Sequence, residues 1–406
     1  MLIATIIFTY NRSWHTRKVL EALRSNDLLP EKLFIFQDGL KCEEHRKEWE
    51  KVKAVIRSVD WCEYEVIERD SNFGLAKSIV SGINFVMEKY DAVVVLEDDC
   101  VVHPKFMRFV SDALEKYQYN RMVYQVSGYA WPVEVKKNGS DAHFIGRASS
   151  WGWATWKDRW MEYKQDYTIL SRIKQDKNLS EQFHIWGEDL EGYLYGNITG
   201  QMNSWAVFWS LLILEKGGYC LTPYESLVDN IGFDGSGVHC GKNEIKKKIR
   251  SSDNFQTLVL PETVEFPTDY ECAYMDRFSW TPGEVKLSCY YNIMIQWIAI
   301  LENKKNIVNY FIERNIKRIA IWGRGKLCEL LLRELNEKIE ILSIIESNPS
   351  EKDYFGIPVI NINYLPEGVQ MIVVIPVYDM YKIERKIRGT VKCDVVALNE
   401  LLEAML

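Results

Sequence analysis

Paired cysteines and long apolar segments are both missing from this sequence of 406 residues. Its nine cysteines form no C-x-x-C pair, so neither a metal-binding cysteine motif nor a disulfide framework is indicated, and we expect free thiols in a reducing compartment. No window approaches ~20 uninterrupted apolar residues, which argues against a membrane-spanning helix. The apolar N-terminal stretch is short and has no basic region before it, so it fits a first β-strand better than a signal peptide. We therefore expect a cytoplasmic protein.

The sequence also has little excess of either charge. Its 50 Lys and Arg residues are set against 57 Asp and Glu residues, a formal net charge of −7, which argues against a nucleic-acid-binding protein. The one concentrated basic segment, residues 242–250, predicts a solvated surface. The alternative is contact with an anionic membrane surface or a lipid-diphosphate acceptor, which would place the protein peripherally at the inner face of the membrane.

Aromatic residues, by contrast, are abundant: the chain has 14 Trp, 22 Tyr and 16 Phe. Tryptophan has a flat apolar face and one donor, so a surplus suits either a packed core or the binding of sugars and other flat ligands. With 47% apolar and 26% charged residues, the chain has the composition of a globular protein, and its length indicates more than one domain.

The first hundred residues alternate between apolar strands and amphipathic helices. Strands are predicted at residues 2–8, 33–36, 64–68 and 92–96, and the last of these is apolar on both faces, as a central parallel strand is. This alternation predicts an α/β fold with an open, mixed but mostly parallel sheet. Ligands of such sheets bind beyond the carboxyl ends of the strands.

Three acidic residues, Glu97, Asp98 and Asp99, directly follow the fourth of these strands. Like charges this close repel each other unless a cation lies among them, and Mg²⁺ or Mn²⁺ held by one or two carboxylates plus substrate phosphates is a suitable partner. The alternative is a solvated acidic turn before the helix that starts near Pro104. The polar residues that end the neighbouring strands favour the metal site.

Several segments together resemble a known family. In chain order they are TYNR, a strand ending in Asp38, RDSNFGLAKS, VVVLEDDCVVHPKF and WGWATW. Over about the first 240 residues, this order is similar to the nucleotide-sugar half of GT-A-type glycosyltransferases such as N-acetylglucosaminyltransferase I and the bacterial family 2 transferases. The resemblance implies a GT-A fold and a hexosyltransferase that uses a nucleotide-sugar donor together with Mn²⁺ or Mg²⁺.

The resemblance also implies roles for single residues. Those expected around the nucleotide and the donor sugar are Thr9, Asn11, Arg12, Asp38, Asn72, Gly74, Lys77, Glu97 and Asp98. Asp99 is expected to bind the metal, and His239 resembles the late histidine that ligates it in some GT-A enzymes. For Lys77 a solvated helix lysine is the alternative, and for the glycine-rich segment around His239 a plain surface loop.

The acceptor side of the expected site has weaker signals. Trp151 and Trp153 lie beside small residues, where a ring can stack on a sugar, although packing in the core is the alternative. An inverting transferase needs a carboxylate to take the proton from the acceptor hydroxyl. Glu188 and Asp189 resemble the x-E-D motif that supplies this base in many family members, and Asp234 is a third candidate.

The second half of the chain is predicted to contain a separate α/β unit. Residues 1–240 are expected to form the transferase domain, residues 241–315 a linker with a helical segment, and residues 316–406 a small Rossmann-like domain. In that domain Cys328 replaces the third glycine of the G-x-G-x-x-G motif, and Glu346 lies where a dinucleotide site places its ribose-binding acid. We expect a regulatory, ligand-binding or oligomerising domain, and a homo-oligomer is one arrangement it would support.

Together these observations predict a metal-dependent glycosyltransferase. It would move a sugar from a nucleotide-sugar, with UDP as the expected nucleotide, to a glycan or lipid-linked acceptor in the synthesis of a bacterial surface polysaccharide. A sugar nucleotidyltransferase is one alternative, but that class usually has a glycine-rich basic loop after its first strand, which TYNRSWHTR does not provide. A non-catalytic sugar-nucleotide-binding protein is the other, and the lack of an acid at the start of the helix near Trp205 favours it.

Overall fold

The computed structural model describes residues 1–200, 202–234, 258–278, 283–335, 338–349, 351–387 and 389–405. It contains two compact units, Met1–Trp280 and Thr281–Leu406. The segment expected as a linker contributes helices to both, since Glu271–Phe278 belongs to the first unit and Gly283–Glu302 to the second. Within the described ranges, no helix is both long and apolar enough to cross a membrane.

An eight-stranded mixed sheet forms the centre of the first unit. The strands of this unit are β1 (Ile3–Thr9), β2 (Leu33–Gln37), β3 (Tyr64–Glu68), β4 (Ala92–Glu97), β5 (Cys100–Val102), β6 (Val123–Ser127), β7 (Ala142–Ile145), β8 (Trp153–Trp156), β9 (Tyr219–Pro223) and β10 (Val228–Asn230). The order across the sheet is β3-β2-β1-β4-β8-β6-β9-β7, and β5 pairs separately with β10. The predicted strands at residues 2–8, 33–36, 64–68 and 92–96 correspond to β1–β4.

Helices cover this sheet where the sequence has apolar residues at helical spacing. They are α1 (Ser13–Arg24), α2 (Arg46–Ile56), α3 (Leu75–Met87), α4 (Phe106–Tyr117), α5 (Lys157–Trp160), α6 (Ile169–Gln175), α7 (Lys177–Trp186), α8 (Leu190–Ile198), α9 (Trp205–Glu215) and α10 (Glu271–Phe278). In α3 the apolar residues at helical spacing are buried, with Ala76, Ile79, Ile83 and Val86 each at most 2% exposed. At about 25 cal/mol per Å² of apolar surface, burial of this face contributes several kcal/mol.

The direction of β8 decides which segments meet at the carboxyl edge of the sheet. β1 to β4 are parallel to one another, whereas β8 runs antiparallel between β4 and β6. The segment that precedes β8 therefore ends, and β8 begins, at the edge where β4 and β6 end. There Gly128 donates a backbone hydrogen bond to Gly152 at 2.8 Å, so the residues around Trp151 lie beside the end of β6.

The second unit is a parallel α/β sheet of six strands. Its elements are α11 (Gly283–Glu302), α12 (Val308–Glu313), β11 (Arg318–Trp322), α13 (Lys326–Leu335), β12 (Glu340–Ile345), β13 (Asp353–Tyr354), β14 (Ile357–Ile360), β15 (Met371–Val374), α14 (Met380–Ile387), β16 (Asp394–Ala397) and α15 (Leu398–Glu403). The strand order is β13-β14-β12-β11-β15-β16, with only β13 antiparallel to its neighbour. Ile293 and Trp297 of α11 pack in the same core as Ile321 of β11.

Candidate active site

Asp98 and Asp99 lie in the turn that follows β4, at the carboxyl edge of the first unit's sheet. Their side chains are nearly buried, with 7% and 8% of their surface exposed. Because β1 pairs with β4, the loop after β1 brings Arg12 to the same edge. Arg12 Nη2 lies 2.8 Å from Asp99 Oδ2 and also contacts Asp98 Oδ1. The sheet therefore places a cation from one strand end against two carboxylates from the next.

The acidic groups at the end of β4 carry more negative charge than Arg12 balances. Burial and the neighbouring charges of Asp99 and Asp98 raise the pKa of Glu97 to about 8. Burial lowers the pKa of Arg12, but the two aspartates raise it by more, so it lies above its ordinary value. Burial also raises the pKa of Asp98, although the charge of Arg12 opposes this. Three acidic side chains beside one guanidinium suit a further cation.

A metal ion here would have to be shared with a substrate. Among the described residues, no group of three or more Asp, Glu, His or Cys side chains is arranged to hold a metal. His239, which we expected as a ligand, lies outside the described residues. Mg²⁺ and Mn²⁺ need only one or two carboxylates when phosphate oxygens supply further ligands, and Asp98 and Asp99 meet that requirement. The donor set at the end of β4 thus fits a phosphate-bridging ion.

A second loop returns to the acidic residues after β10. β10 pairs antiparallel with β5, and beyond its end the N–H of Ile231 donates to the carbonyl of Asp99 at 2.9 Å. Gly232 packs so closely that an added Cβ would collide with Asp99 Oδ2. Two residues further on, Asp234 Oδ2 lies 3.1 Å from His15 Nε2. This loop therefore carries Asp234 to the same edge as the acidic residues.

His15 is a residue of this edge that the sequence pattern did not single out. It lies in the first turn of α1 with its side chain 8% exposed, whereas that of Asp234 is 48% exposed. A buried histidine beside an exposed carboxylate orients that carboxylate and leaves part of it open to a ligand. In the sequence, His15 is marked only by its position three residues after Arg12. That position does not predict a role in the site, because its partner Asp234 comes from the loop after β10.

Asp38 holds together the loop that joins β3 to α3. Its Oδ1 accepts hydrogen bonds from the backbone of Gly39 and Phe73 at 2.9 and 2.8 Å, and its Oδ2 accepts from Asn72 Nδ2 and the backbone of Gly74 at 3.1 and 2.9 Å. Gly74 has a φ of 73°, a conformation that favours glycine. The structure thus brings Asp38, Asn72 and Gly74 together, as the strand ends indicated, and gives the Asp38 carboxylate four partners within the protein.

The remaining residues expected around the nucleotide lie at the same edge. Thr9 ends β1, and its hydroxyl donates to the carbonyl of Phe36 at 3.2 Å, which ties β1 to β2. Asn11 is partly buried in the loop between β1 and α1. Lys77 is exposed on α3, with its Nζ 4.1 Å from the centroid of the Phe73 ring. Thr9 therefore has a structural contact, and Lys77 is accessible to solvent.

An aromatic row, formed by Phe233, Trp151, Tyr129 and Trp131, begins beside Asp234. Consecutive rings lie 5.5, 4.5 and 5.5 Å apart between centroids, with their planes 83°, 76° and 78° to one another. All four side chains are partly exposed. Rings in edge-to-face contact brace one another and present a rigid apolar surface to solvent. Such a surface beside a polar site is suited to the apolar face of a sugar.

Trp153 does not belong to the aromatic row. It lies in β8, fully buried, with its ring 5.9, 5.1 and 6.2 Å from those of Trp160, Trp205 and Trp209. Strand alternation sends its side chain into the core, where other rings cover it. The expectation that Trp153 stacks on an acceptor is therefore wrong, and the alternative of core packing applies.

The two acids of the x-E-D motif are both engaged by neighbouring side chains. Asp189 forms a bidentate ion pair with Arg147, whose guanidinium is 5.8 Å from the centroid of the Trp131 ring. Glu188 Oε1 lies 3.1 Å from His184 Nδ1 on the preceding turn of α7. Asp189 is thus held at the far end of the aromatic row, whereas Asp234 lies at its beginning.

Comparison with known families bears directly on this unit. Residues 5–185 match the model of glycosyl transferase family 2, a segment that runs from β1 to α7 and includes Arg12, Asp38 and the acidic residues after β4. The first unit carries a GT-A-type glycosyltransferase domain. The sheet of this family 2 domain is mostly parallel and has an acidic turn at its carboxyl edge. This is the GT-A fold that the sequence resemblance implied. No curated protein sequence matches the chain.

Solved structures with some similarity to the chain include S. aureus TarS and a mannosyltransferase. Residues 1–349 of S. aureus TarS give a TM-score of 0.29 at 11% identity, covering 42% of this chain and 48% of that one. The mannosyltransferase PcManGT from Pyrobaculum calidifontis, in complex with GDP-Man and Mn²⁺, gives 0.27 at 12% identity, covering 42% and 46%. The chain spans about half the length of these structures. Scores this low add nothing to the assignment of the family 2 domain.

Proposed function

We propose that this protein is a metal-dependent glycosyltransferase that takes a sugar from a nucleotide-sugar donor, with UDP as the nucleotide. The observation that carries the proposal is the pairing of Arg12 with Asp98 and Asp99 at the carboxyl edge of a family 2 domain. Ligands of open α/β sheets bind at that edge. A net negative cluster beside one guanidinium is suited to a cation that carries a diphosphate.

The chemistry that such a site performs is stabilisation of a leaving group. As the bond between sugar and diphosphate breaks, negative charge collects on the diphosphate. A divalent ion, when bound by Asp99 with Asp98 beside it, supplies positive charge to the phosphates without a proton transfer. Arg12 is positioned to contribute a second positive charge, and its pKa keeps it protonated throughout the physiological range. The Asp38-bound loop forms the wall beside them.

We assign Asp234 the role of the base that takes the proton from the acceptor hydroxyl. It is exposed, it is next to His15, and it follows Phe233, the first ring of the aromatic row. Asp189 is less suitable because Arg147 donates hydrogen bonds to both of its oxygens, so neither is open to an acceptor hydroxyl. A carboxylate that is held by a neighbouring histidine and still open to an acceptor hydroxyl is suited to act as the base of an inverting transfer.

The aromatic row supports a carbohydrate acceptor. Three of its rings, Trp151, Tyr129 and Trp131, lead away from Asp234, so a glycan placed along them would present its terminal hydroxyl at the base. Glycan or lipid-linked acceptors of bacterial surface polysaccharide synthesis have this chemistry. An acceptor bound to a membrane lipid would bring the protein to the inner membrane face, with no membrane-spanning helix required.

The decisive experiment measures sugar release and transfer from a panel of nucleotide sugars, with Mn²⁺, with Mg²⁺ and with EDTA. We expect turnover of a UDP-sugar with metal only, and its loss in Asp99→Ala. Asp60→Asn, at an exposed acid in the connection from α2 to β3, before the amino end of β3, is the matched control and should turn over as the wild type. Absence of turnover and of UDP-induced stabilisation under all conditions would contradict the proposal. Release of pyrophosphate would instead indicate a nucleotidyltransferase.

A further inference from the structure

A cavity of about 350 Å³ lies in the second unit, at the carboxyl ends of its central strands. Its lining includes Trp322 at the end of β11, Glu346 and Ser347 just after β12, and Pro376 after β15. The volume is at the small end of the roughly 300–1,000 Å³ that ligand pockets usually have. The cavity is thus large enough for one small organic ligand.

The position of this cavity is where the strand order of the sheet reverses. β11 and β15 are neighbours, and the connection from β11 leads to β12 on one side whereas that from β15 leads to β16 on the other, so the two connections diverge. Loops that diverge in this way open a crevice between them, and open α/β sheets bind their ligands in that crevice. The cavity between the ends of β11, β12 and β15 therefore has the location of a binding site.

The loop after β11 lets a ligand approach the backbone. Gly323 and Gly325 have φ of 96° and 116°, which side chains rarely tolerate, and nothing lies within 4 Å of where a Cβ on Gly325 would be. α13 begins directly after this loop, and the N–H groups in the first turn of a helix have no partners within it. A phosphate placed here would meet backbone donors and the positive end of the helix.

Charged side chains divide the cavity into an acidic and a basic part. Glu346 Oε1 accepts a hydrogen bond from Arg324 Nε at 2.5 Å, so the carboxylate is fixed at the cavity wall. Lys386 Nζ lies 3.4 Å from Ser347 Oγ and adds a second positive charge at the rim. A fixed carboxylate is suited to the paired hydroxyls of a ribose, and the cation at the rim is suited to phosphate.

We propose that the second unit binds a single nucleotide in this cavity, with Glu346 on the ribose and the phosphates over Gly323–Gly325. A dinucleotide is disfavoured by the small volume and by Cys328, which is fully buried where the motif of dinucleotide sites has its third glycine. The inference is separate from the activity proposed for the first unit. It gives the chain a second nucleotide site of its own.

Calorimetric titration of the full chain with ADP, GDP, CDP and UDP in EDTA tests this inference. Chelation removes the metal that the donor site of the first unit is proposed to need, so binding in EDTA reports the second unit. We expect one nucleotide per chain for at least one of the four, and about tenfold weaker binding in Glu346→Gln, because a charge-assisted hydrogen bond is lost. Glu351→Gln is the matched control, since Glu351 also pairs with Arg324 but is not part of the cavity lining.

The outcomes separate this inference from the proposed function. No binding of any of the four nucleotides in EDTA overturns it, and so does a Glu346→Gln protein that binds as the wild type. NAD⁺ binding tighter than all four nucleotides would overturn the assignment to a single nucleotide. If Glu346→Gln lowers the melting temperature, Ser347→Ala provides a second variant of the cavity wall with the same expectation of weakened binding. Transfer from UDP-sugars is measured separately with Mn²⁺, so an inactive chain that still binds nucleotide in EDTA contradicts only the glycosyltransferase proposal.

Discussion

Arg147 holds Asp189 through two parallel hydrogen bonds, Nη1 to Oδ1 at 2.6 Å and Nη2 to Oδ2 at 2.9 Å. The Arg147 side chain is 7% exposed and that of Asp189 is 19% exposed, so water screens the pair weakly. Arg147 Nη1 also donates to the carbonyl of Trp186, at the end of α7. The ion pair therefore fixes the junction of α7 and α8 against the loop after β7.

The ion pair with Arg147 predicts that Asp189, which belongs to the segment resembling the x-E-D motif, has a structural role. We expect Asp189→Asn to reduce the free energy of unfolding by about 3 kcal/mol, because a buried guanidinium loses its charged partner. The measurement is denaturant unfolding of the single variants and of the double variant Arg147→Met/Asp189→Leu. The double variant should be less destabilised than the sum of the singles, since no unpaired charge is left buried. Additive losses would show that the two residues do not act as a pair.

Asp234 should be the carboxylate that matters for turnover. Loss of a general base typically lowers the rate by about 10²–10⁴-fold, and we expect a fall of that size in kcat for Asp234→Asn, with the donor KM unchanged. His15→Gln should lower kcat by a smaller factor, because it orients Asp234 and does not itself take the proton. Asp229→Asn, in β10 of the same segment, is the matched control. The assignment is refuted if Asp234→Asn keeps its kcat while Asp189→Asn, corrected for its folded fraction, loses it.

The two tryptophans before and within β8 should respond differently to truncation. Trp151→Ala is expected to raise the acceptor KM by about tenfold with little loss of stability, because a partly exposed ring of the aromatic row is removed. Trp153→Ala is expected to cost about 3–5 kcal/mol of unfolding free energy, because it empties a buried site among three other rings. Trp151→Phe, which keeps a ring, should retain most of the acceptor affinity. An unchanged acceptor KM in Trp151→Ala would remove the aromatic row from the acceptor site.

His143 should make the first unit less stable in mild acid. It is 3% exposed on β7, its Nε2 lies 2.8 Å from Tyr274 Oη, and its ring stacks on that of Tyr224 at 4.4 Å. Burial lowers the pKa of His143 to about 3, below the ordinary 6.5. The unfolded chain therefore binds a proton below pH 6.5 that the folded chain does not, so stability falls as the pH falls.

The effect of His143 can be separated from that of the carboxyls by comparing how steeply the free energy of unfolding changes with pH in the wild type and in histidine variants. Near pH 4.5 we expect a loss of about 2 kcal/mol from this residue, relative to pH 7. His143→Gln should be less stable than the wild type at pH 7 but lose less stability between pH 7 and pH 4.5, as measured by urea unfolding. His45→Gln, in a partly exposed position, should keep the slope of the wild type. Equal slopes for His143→Gln and the wild type would contradict a buried neutral imidazole.

The parts of the site that could be predicted from the sequence are those that lie at strand ends. Asp38 and Asn72 follow β2 and β3, and the parallel sheet brings them into hydrogen-bond contact, with Asn72 Nδ2 3.1 Å from Asp38 Oδ2. The acidic turn after β4 lies at the same edge for the same reason. Apolar periodicity and continuous apolar runs indicate which residues form buried strands. In a parallel sheet all strands end at the same edge, so the residues that follow them can be placed there.

Contacts between elements that are far apart in the chain could not be predicted from the sequence. The pairing of His15 with Asp234 depends on β10 joining β5, two strands of three residues each that are too short for a clear pattern. Trp153 was expected beside an acceptor, with core packing as the alternative, because its neighbours in the sequence are small; in the structure, Trp205 and Trp209 of α9 cover its ring. The partner of Asp189 likewise comes from an element that only the tertiary fold brings near.

The four hydrogen bonds to Asp38 have a consequence for the energetics of donor binding. Three of them, from Asn72, Phe73 and Gly74, fix this loop from within the protein, so this wall of the site is already ordered before a ligand arrives. A preformed wall spares the complex the entropy loss of ordering a flexible segment, which otherwise costs about 0.5–1.5 kcal/mol for each immobilised side chain. The proposed nucleotide site is therefore preorganised on its Asp38 side, so we expect donor binding to cost little ordering of this loop.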